Sequence, residues 1–435
     1  MGAAIRLYFG RIYTDGLERI DTQRPTLILA NHTSTFLDPM LLAIFLRRKV
    51  HFYTRGDVFK NKLAARIFRS LGMMPIYRRS EGAEHMHQND TTNEEALRIL
   101  RAGGAVLIFA EGLSEPWKVV KPLKKGPFRL AAMAVEEGLD VAIMPLGINY
   151  LAQTHPGTPA WLVAGEMLEA RAYFPPGAPK AQAITQLLRD CDAAMRRVAF
   201  DARLLERGPA VDVLAALAFD RKESGAASFE KAARCCHRAA TMPEEDWTVI
   251  EDQAARLVAL NRLLRLSRLQ APWAANAGIQ SHNPRFHTPL PSAVELRPAP
   301  PVLPGIALPL LALAIDALHA LPLLPARRLA YRLAPSEDFF ASVYISLGMV
   351  LMLGWYALMG VALGMIWGWP GLAALPLIGA LGWICRRWAR SKLAALQINL
   401  RWRRAKKQQL ELATEYEALL QSIRNYSGGL TVAAA

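Results

Sequence analysis

The sequence predicts an α/β layer of mixed, largely parallel sheet with helices, followed by a helical region and a C-terminal transmembrane helical hairpin. Two observations carry this expectation. Through residues 1–204, short apolar runs rich in β-formers alternate with helical patterns, as strands joined by crossover helices do. Residues 339–385 then contain no charged side chain, whereas about 20 apolar residues suffice for one helical crossing of a bilayer.

In order along the chain, the strand candidates are 26–30, 50–54, 73–77, 105–109 and 141–148. A helical run at 40–46 follows the first strand. Helical patterns at 93–102 and 128–137 end at Gly103-Gly104 and at Gly138, where glycine supplies the left-handed stop. Residues 205–270 form a helical region, clearest at 247–269, where Val249, Ile250, Leu257, Leu260 and Leu264 make an apolar stripe. Pro272, Pro284, Pro289, Pro291, Pro298, Pro300 and Pro301 mark a linker over 271–300. Segment 301–336 is apolar in its first part, yet holds Asp316 and His319 and is broken by Pro304, Pro309 and Pro322. Its composition favours an interfacial or re-entrant segment over a crossing.

The hairpin itself occupies 337–387, with its turn at Trp369-Pro370-Gly371 and its legs near 341–367 and from 372 onward. The competing reading is a buried hairpin of a soluble protein, but soluble helices of this length nearly always carry charge. Arg327, Arg328 and Arg332 precede the hairpin, and Arg386, Arg387, Arg390 and Lys392 follow it. The positive-inside rule places both flanks in the cytoplasm. Residues 1–20 show no signal-peptide pattern, so the first three hundred residues are expected on the same side, giving an integral membrane protein whose catalytic domain faces the cytoplasm. Residues 388–435 form a basic amphipathic helix and tail.

Composition removes several classes. With 435 residues, 52% hydrophobic and 20% charged, the chain is neither disordered nor fibrous. Cys191, Cys235, Cys236 and Cys385 contain no C-x-x-C pair, so neither a disulfide scaffold nor a zinc site is expected. A net charge of +15 combined with 52% hydrophobic residues points at once to phosphate and to lipid. Two acid-free clusters, at 117–129 and 386–410, carry nearly all of that excess. The second trails the hairpin, where positive flanks are expected, so Trp402 among its arginines is weak support for nucleic-acid binding, and no nucleic-acid partner is expected.

The candidate chemistry sits at strand ends, where an open α/β sheet leaves a crevice. The first strand runs into Asn31-His32-Thr33-Ser34-Thr35-Phe36-Leu37-Asp38. An imidazole with a nearby carboxylate is the skeleton of a general base and its orienting partner. The bland alternative is a helix-capping junction in which Asn31, Thr33 and Ser34 satisfy backbone amides. A rival pair, His85 and Asp90, lies in the polar stretch 80–92 with no apolar strand to hold it. Strand 105–109 ends in Ala110-Glu111-Gly112-Leu113-Ser114, strand 141–146 is apolar up to and beyond Pro145, and 71–79 brings Arg78 and Arg79 to a strand's end. A guanidinium suits phosphate, which makes Arg78 an anion-ligand candidate.

Taken together, Asn31-His32 with Asp38, Gly72 with Arg78, Phe109 with Glu111-Gly112, and 143–146 resemble the four ordered motif blocks of the glycerolipid acyltransferase family. That family includes glycerol-3-phosphate and 1-acylglycerol-3-phosphate acyltransferases. The likeness covers roughly residues 10–170. It implies an α/β fold at the membrane surface and no metal or cofactor. His32 would activate an acceptor hydroxyl to attack an acyl thioester, with Asp38 as its partner. Arg78, Glu111 and Gly112 would hold the acceptor, and Pro145 would shape the acyl site.

Two departures stand out. The family usually leaves four residues between His and Asp, and the five found here resemble a subgroup with C-terminal membrane segments, which includes fungal-type glycerol-3-phosphate and dihydroxyacetone-phosphate acyltransferases. The third block usually continues with Thr-Arg, whereas this chain has Leu113-Ser114. Lys118, Lys121, Lys124, Lys125 and Arg129 follow, and Lys124-Lys125-Gly126 is the basic step that would replace the missing phosphate ligand.

The resemblance implies a membrane-bound transferase moving a fatty acyl group from acyl-CoA or acyl carrier protein, as co-substrate, to a hydroxyl of glycerol-3-phosphate or a related glycerophosphate in phospholipid biosynthesis. The runner-up acceptors are 1-acylglycerol-3-phosphate, another lysolipid or an amino-lipid. A different class, a non-catalytic adaptor binding anionic membrane lipid, would leave His32, Asp38 and Glu111 unexplained at strand ends.

Overall fold

The computed structural model describes residues 2–9, 11–20, 23–59, 62–77, 88–154, 157–203, 205–219, 225–266 and 321–379, together with parts of 411–425. The linker expected at 271–300, the first part of 301–336, the second hairpin leg beyond residue 379, His85 and Arg78 lie outside the described residues.

Strand β2 (Thr26–Ala30) is buried along its whole length, as a central strand covered on both faces must be. It pairs in parallel with a later strand, β5 (Ala105–Phe109), on one side and with β6 (Ala142–Tyr150) on the other, so that Ala30 stands level with Phe109 and Leu146. Beyond β5 follow β3 (Val50–Arg55) and β4 (Met73–Ile76), all parallel. On the other side β7 (Ala160–Ala164) runs antiparallel to β6, and β1 (Ile12–Asp15) pairs in parallel with β7. A two-residue strand, β8 (Leu168–Glu169), pairs antiparallel with the start of β6. The order β1-β7-β6-β2-β5-β3-β4 makes a mixed, largely parallel sheet.

Side-chain alternation along these strands sorts the core into two layers. Leu27, Leu29, Val106, Ile108 and Ile143 face one cluster with helices α4 (Gln88–Arg101), α5 (Gly126–Glu136) and α7 (Lys180–Val198). Ile28, Ala30, Leu107, Met144, Leu146 and Ile148 face the other, with α1 (Gly2–Tyr8) and α2 (Leu37–Phe45). The chain passes tightly where β6 meets the end of α7. A Cβ at Gly147 would fall 1.9 Å from the Val198 carbonyl oxygen, so only glycine fits there. The Asn149 side-chain amide closes the same junction, donating to Val198 O (2.9 Å) and accepting from Phe200 N (2.7 Å).

The expected helical region contains α8 (Gly208–Ala218), α9 (Gly225–Ala239) and α10 (Glu244–Leu266). These pack around Phe229 and Trp247, and Trp161 and Val163 of β7 join them. Tyr416, Leu419 and Ile423, far along the chain, enter the same cluster, with an Arg256–Glu415 ion pair at 2.9 Å beside them. The spacing of those three residues is that of one helical face.

Among the membrane-directed residues, α11 (Leu323–Leu333) packs against α12 (Glu337–Trp367). Residues Phe339–Trp367 have a mean hydropathy of 2.0 and are mostly exposed or half-buried, which is the length and composition of a bilayer crossing. Gly368, at φ +64°, ends that helix, and the apolar segment Trp369–Gly379 folds back along it. Leu372 lies against Gly364, Leu375 against Gly360, and Tyr356 against Gly379. Small residues thus let the two backbones approach, as in membrane helix pairs.

One buried ion pair joins the helical region to the α/β layer. Lys118, in the loop after β5, is buried and pairs with Asp212 of α8, and its ammonium also donates to Leu151 O at 3.3 Å. Asp212→Ala strands that ammonium in the interior, and removing one partner of a buried pair costs about 3 kcal/mol. The expected outcome is a clear fall in melting temperature, measured by thermal denaturation of the detergent-solubilised protein.

Candidate active site

The first turn of α2 and the end of β2 build the centre. After Ala30 the strand gives way to Asn31, whose side-chain amide takes the place of a strand partner: Oδ1 accepts from Ile148 N at 2.7 Å and Nδ2 donates to Ile148 O at 3.0 Å. His32 follows at the sheet's carboxyl edge. Asp38 sits in the first turn of α2, with its backbone amide bonded to Ser34 O at 3.1 Å, and its carboxylate is fully buried. Asp38 Oδ2 lies 2.9 Å from His32 Nδ1 and also accepts from Thr33 N (2.8 Å) and Ser34 N (2.9 Å). Tyr150, the last residue of β6, donates its hydroxyl to Asp38 Oδ1 at 2.7 Å. A carboxylate accepting from Nδ1–H fixes the tautomer in which Nε2 carries the lone pair. The imidazole stacks on Phe109, with ring centroids 4.0 Å apart and planes at 14°, and its side chain keeps 14% exposure. His32 is therefore held on one side and reachable on the other.

The loop after β5 completes the arrangement. Glu111 is almost wholly buried; its Oε1 accepts from His32 N at 3.3 Å, and its Oε2 lies 3.1 Å from Lys121 Nζ. Burial pushes the Glu111 carboxyl up to about 7, against the opposing pull of the Lys121 ammonium. Glu115 N donates to His32 O at 3.2 Å, locking this loop to the histidine's own backbone. Gly112 has φ +73°, the left-handed region that favours glycine, and the Lys124 side chain runs beside it. The Thr33 and Ser114 hydroxyls are buried without a hydrogen-bond partner, polar atoms left for something that enters the cleft.

The structure therefore brings His32, Asp38, Glu111 and Gly112 to one edge, from two chain segments. Lys124 and Lys125 are exposed at the start of α5, with Lys124 alongside Gly112. Lys118 and Lys121 have other duties: the first pairs with Asp212 and the second with Glu111 and Glu115. Pro145 lies inside β6, level with Leu29 and buried in the sheet. Arg78 lies outside the described residues. Two participants escaped the sequence reading. The strand was expected to end at residue 148, two residues short of Tyr150, and the Thr33 and Ser34 backbone amides leave no trace in residue identity. Among the described residues no group of His, Cys, Asp and Glu is arranged to hold a metal ion.

This edge, with a histidine–aspartate pair and a Glu-Gly loop on adjacent parallel strands, marks the class. Residues 11–149 match the sequence model of the family described as Acyltransferase. It is similar to a lyso-ornithine lipid O-acyltransferase of Brucella abortus (strain 2308), 31% identical over 150 residues, which cover 33% of this chain and 51% of that protein. The chain thus spans about half the length of the curated relative it matches. A crystal structure of the 1-acyl-sn-glycerophosphate acyltransferase PlsC from Thermotoga maritima aligns over 45% of this chain and 73% of that one, at 20% identity and a TM-score of 0.34.

Two outcomes follow from this geometry. Because burial raises the Glu111 carboxyl from an ordinary 4.5 to about 7, the folded state holds that proton more tightly than the unfolded chain does. Its contribution to stability is complete below pH 4.5 and is lost as pH rises through about 7. Glu111→Gln removes this dependence, so its melting temperature gains on that of the wild type between pH 5 and pH 8, as parallel thermal melts would record. Tyr150→Phe takes one donor from a buried carboxylate. It lowers kcat roughly tenfold while KM for both substrates stays within about twofold, since the phenol acts through Asp38 and Asp38 through His32.

Proposed function

We propose that this protein is a membrane-associated O-acyltransferase that moves an acyl group from a thioester to the hydroxyl of a lysolipid or glycerophosphate. The observation that carries the reading is the His32 imidazole, pinned through Nδ1 by a buried, fully hydrogen-bonded Asp38 and open on its other edge. In the reaction, Nε2 takes the acceptor's hydroxyl proton as the oxygen attacks the thioester carbonyl. A new C–O bond forms, the tetrahedral intermediate collapses with cleavage of the C–S bond, and the imidazolium returns the proton to the departing thiolate. The donor is acyl-CoA or acyl carrier protein, the co-substrates whose thioesters suit this chemistry.

The site's surroundings favour an acceptor that resides in the membrane. Phe36, which caps α2 beside the dyad, meets Phe339 at the start of the long apolar helix with ring centroids 5.9 Å apart. In the acceptor loop, Leu113 and Ser114 stand where the family usually continues with Thr-Arg, and Lys121 is already engaged by two carboxylates. Both features suit a lysolipid, including the amino-lipid type named for the Brucella relative, better than free glycerol-3-phosphate. With glycerol-3-phosphate, Lys124 and Lys125 would be the phosphate ligands.

The proposed topology is a hairpin with both ends on the catalytic side. It is supported by the fold-back of Trp369–Gly379 onto α12, and by Tyr416, Leu419 and Ile423 packing on the helical region, past the hairpin. The excess of Arg and Lys around the hairpin supports a cytoplasmic orientation.

The test uses membranes containing the full chain, labelled acyl-CoA or acyl carrier protein, and parallel acceptors: lyso-ornithine lipid, lysophosphatidate, glycerol-3-phosphate and dihydroxyacetone phosphate. Transfer is expected to a lysolipid and to fall about 10²–10⁴-fold in His32→Ala, the usual worth of a general base. Undiminished transfer by that variant would remove His32 from the chemistry, and transfer to glycerol-3-phosphate alone would reverse the choice of acceptor.

A further inference from the structure

The side chain with the least explained environment lies away from the dyad. Arg327, on α11, is one of the basic residues that precede the hairpin, and it is 7% exposed. Its neighbours on the same helix, Arg328 and Arg332, are exposed. The guanidinium lies 5.9 Å from the Tyr331 ring centroid, and Tyr8 and Tyr344 complete an aromatic surround, their rings 5.9 Å apart. Nε and Nη2 of Arg327 are buried without a hydrogen-bond partner, and among the described residues no carboxylate pairs with it.

Leaving a guanidinium out of water without a counter-charge costs several kcal/mol. The aromatic contact returns only about 1–2 kcal/mol. An anion with several acceptor oxygens would balance the difference, and phosphate matches the planar fork of arginine in two-point contact. Position selects its source. Arg327 lies on the helix that leads directly into α12, and Phe340 and Ala341 at the start of α12 are buried against the protein while from Val350 onward the helix is exposed or half-buried apart from Gly360. Headgroup phosphates lie at that depth, where buried basic side chains between helices bind anionic lipid.

We propose that Arg327, within the Tyr8–Tyr331–Tyr344 surround, is a binding site for the phosphate of an anionic membrane lipid, separate from the acyl-acceptor site. The same surround leads to the dyad. Tyr8 packs on Phe9 (5.1 Å between centroids), Phe9 stacks on Tyr150 (5.5 Å, 15°), and Tyr150 bonds to Asp38. A lipid seated at Arg327 therefore orders the elements that hold the catalytic carboxylate, and turnover depends on it.

The experiment compares the full-length protein in nanodiscs of phosphatidylcholine alone and with added phosphatidylglycerol. Two readouts are used: phosphatidylglycerol retained by the purified protein in native mass spectrometry, and acyl transfer. The first needs no enzymatic activity, so its failure is distinct from failure of the acyltransferase reading. Wild type is expected to retain phosphatidylglycerol and to turn over about fivefold faster in the anionic discs, the effect of one basic group at such a surface. Arg327→Gln loses both, whereas Arg328→Gln and Arg332→Gln, exposed on the same helix, keep both. A melting curve for each variant separates loss of the site from loss of the fold. Should Arg327→Gln melt early, Arg327→Lys, which keeps the charge but not the fork, is expected to retain the fold and bind with reduced occupancy. Lipid retention by Arg327→Gln equal to wild type overturns the proposal. So does an Asp316→Asn variant that reproduces the loss of stability in discs of either composition, since the counter-charge would then lie within the chain. Inorganic phosphate replacing phosphatidylglycerol in neutral discs would overturn the assignment to lipid.

Discussion

The candidate site depends on one buried charge. Asp38 is wholly removed from solvent, and a carboxylate in that position must have its oxygens filled by donors or it destabilises the fold. Four donors supply this: the His32 ring, the Thr33 and Ser34 amides and the Tyr150 hydroxyl. They come from two places, the turn at His32–Ser34 and the end of β6, and each is fixed by the other. The two amides require the chain after His32 to turn tightly into α2, the helix start puts Asp38 where its amides and dipole favour negative charge, and the phenol requires β6 to extend four residues past the level of Ala30. Burial, then Asp38 itself, holds the Tyr150 phenol well above its ordinary range, so it stays a donor.

A second polar layer secures the loop that faces the dyad. Glu111 bonds to the His32 amide from below and leans on Lys121, and Lys121 reaches Glu115 and the Leu113 carbonyl (3.1 Å). Further along the same loop, Lys118 is tied to α8, and Val120 N donates to Asp201 Oδ1 at 3.1 Å. Asp201 in turn is paired with Arg196 of α7 at 2.7 Å. Residues 111–121 are thus held at both ends by buried charge. The helical region, whose role is invisible in composition, is mechanically part of the site because Asp212 belongs to it.

How much of this was legible varies with the kind of information involved. Runs such as 26–30 and 105–109 were readable as strands because central parallel strands are apolar at every position. β1 and β7 were not, since Ile12–Asp15 is short and half-exposed, and 160–164 has no alternation to set it apart from a helix segment. His32 and Asp38 were readable because their spacing and place at a strand's end carry chemical meaning. Tyr150 was not, because it stands 112 positions from Asp38 and only the parallel register of β2 with β6 brings them together. Lys118 misled for a related reason: in sequence it is one of several basic residues in an exposed-looking stretch, and only the docking of α8 makes it an interior ion pair. Arg327 is the same case, an arginine that sequence marks only as part of a basic flank and packing buries.

The long apolar helix then answers how such a site is presented to lipid. It is not a tether joined by a flexible stalk. Phe340 and Ala341 are fully buried, and Ala341 and Ile345 belong to the same core layer as Ile28, Leu107 and Met144. From Val350 onward the helix is exposed or half-buried apart from Gly360, reaching 82% exposure at Met365. One helix therefore contains both the last part of the sheet's hydrophobic cover and an apolar surface with the length and composition of a bilayer crossing. Because Phe339 touches Phe36, five residues from the capping turn's Asn31, the dyad lies close to that level by rigid packing. On the proposed function, a lysolipid acceptor would not need to leave the membrane by more than its headgroup to bring a hydroxyl to His32, and the placing of the dyad beside the apolar helix is set by the same contacts that stabilise the fold.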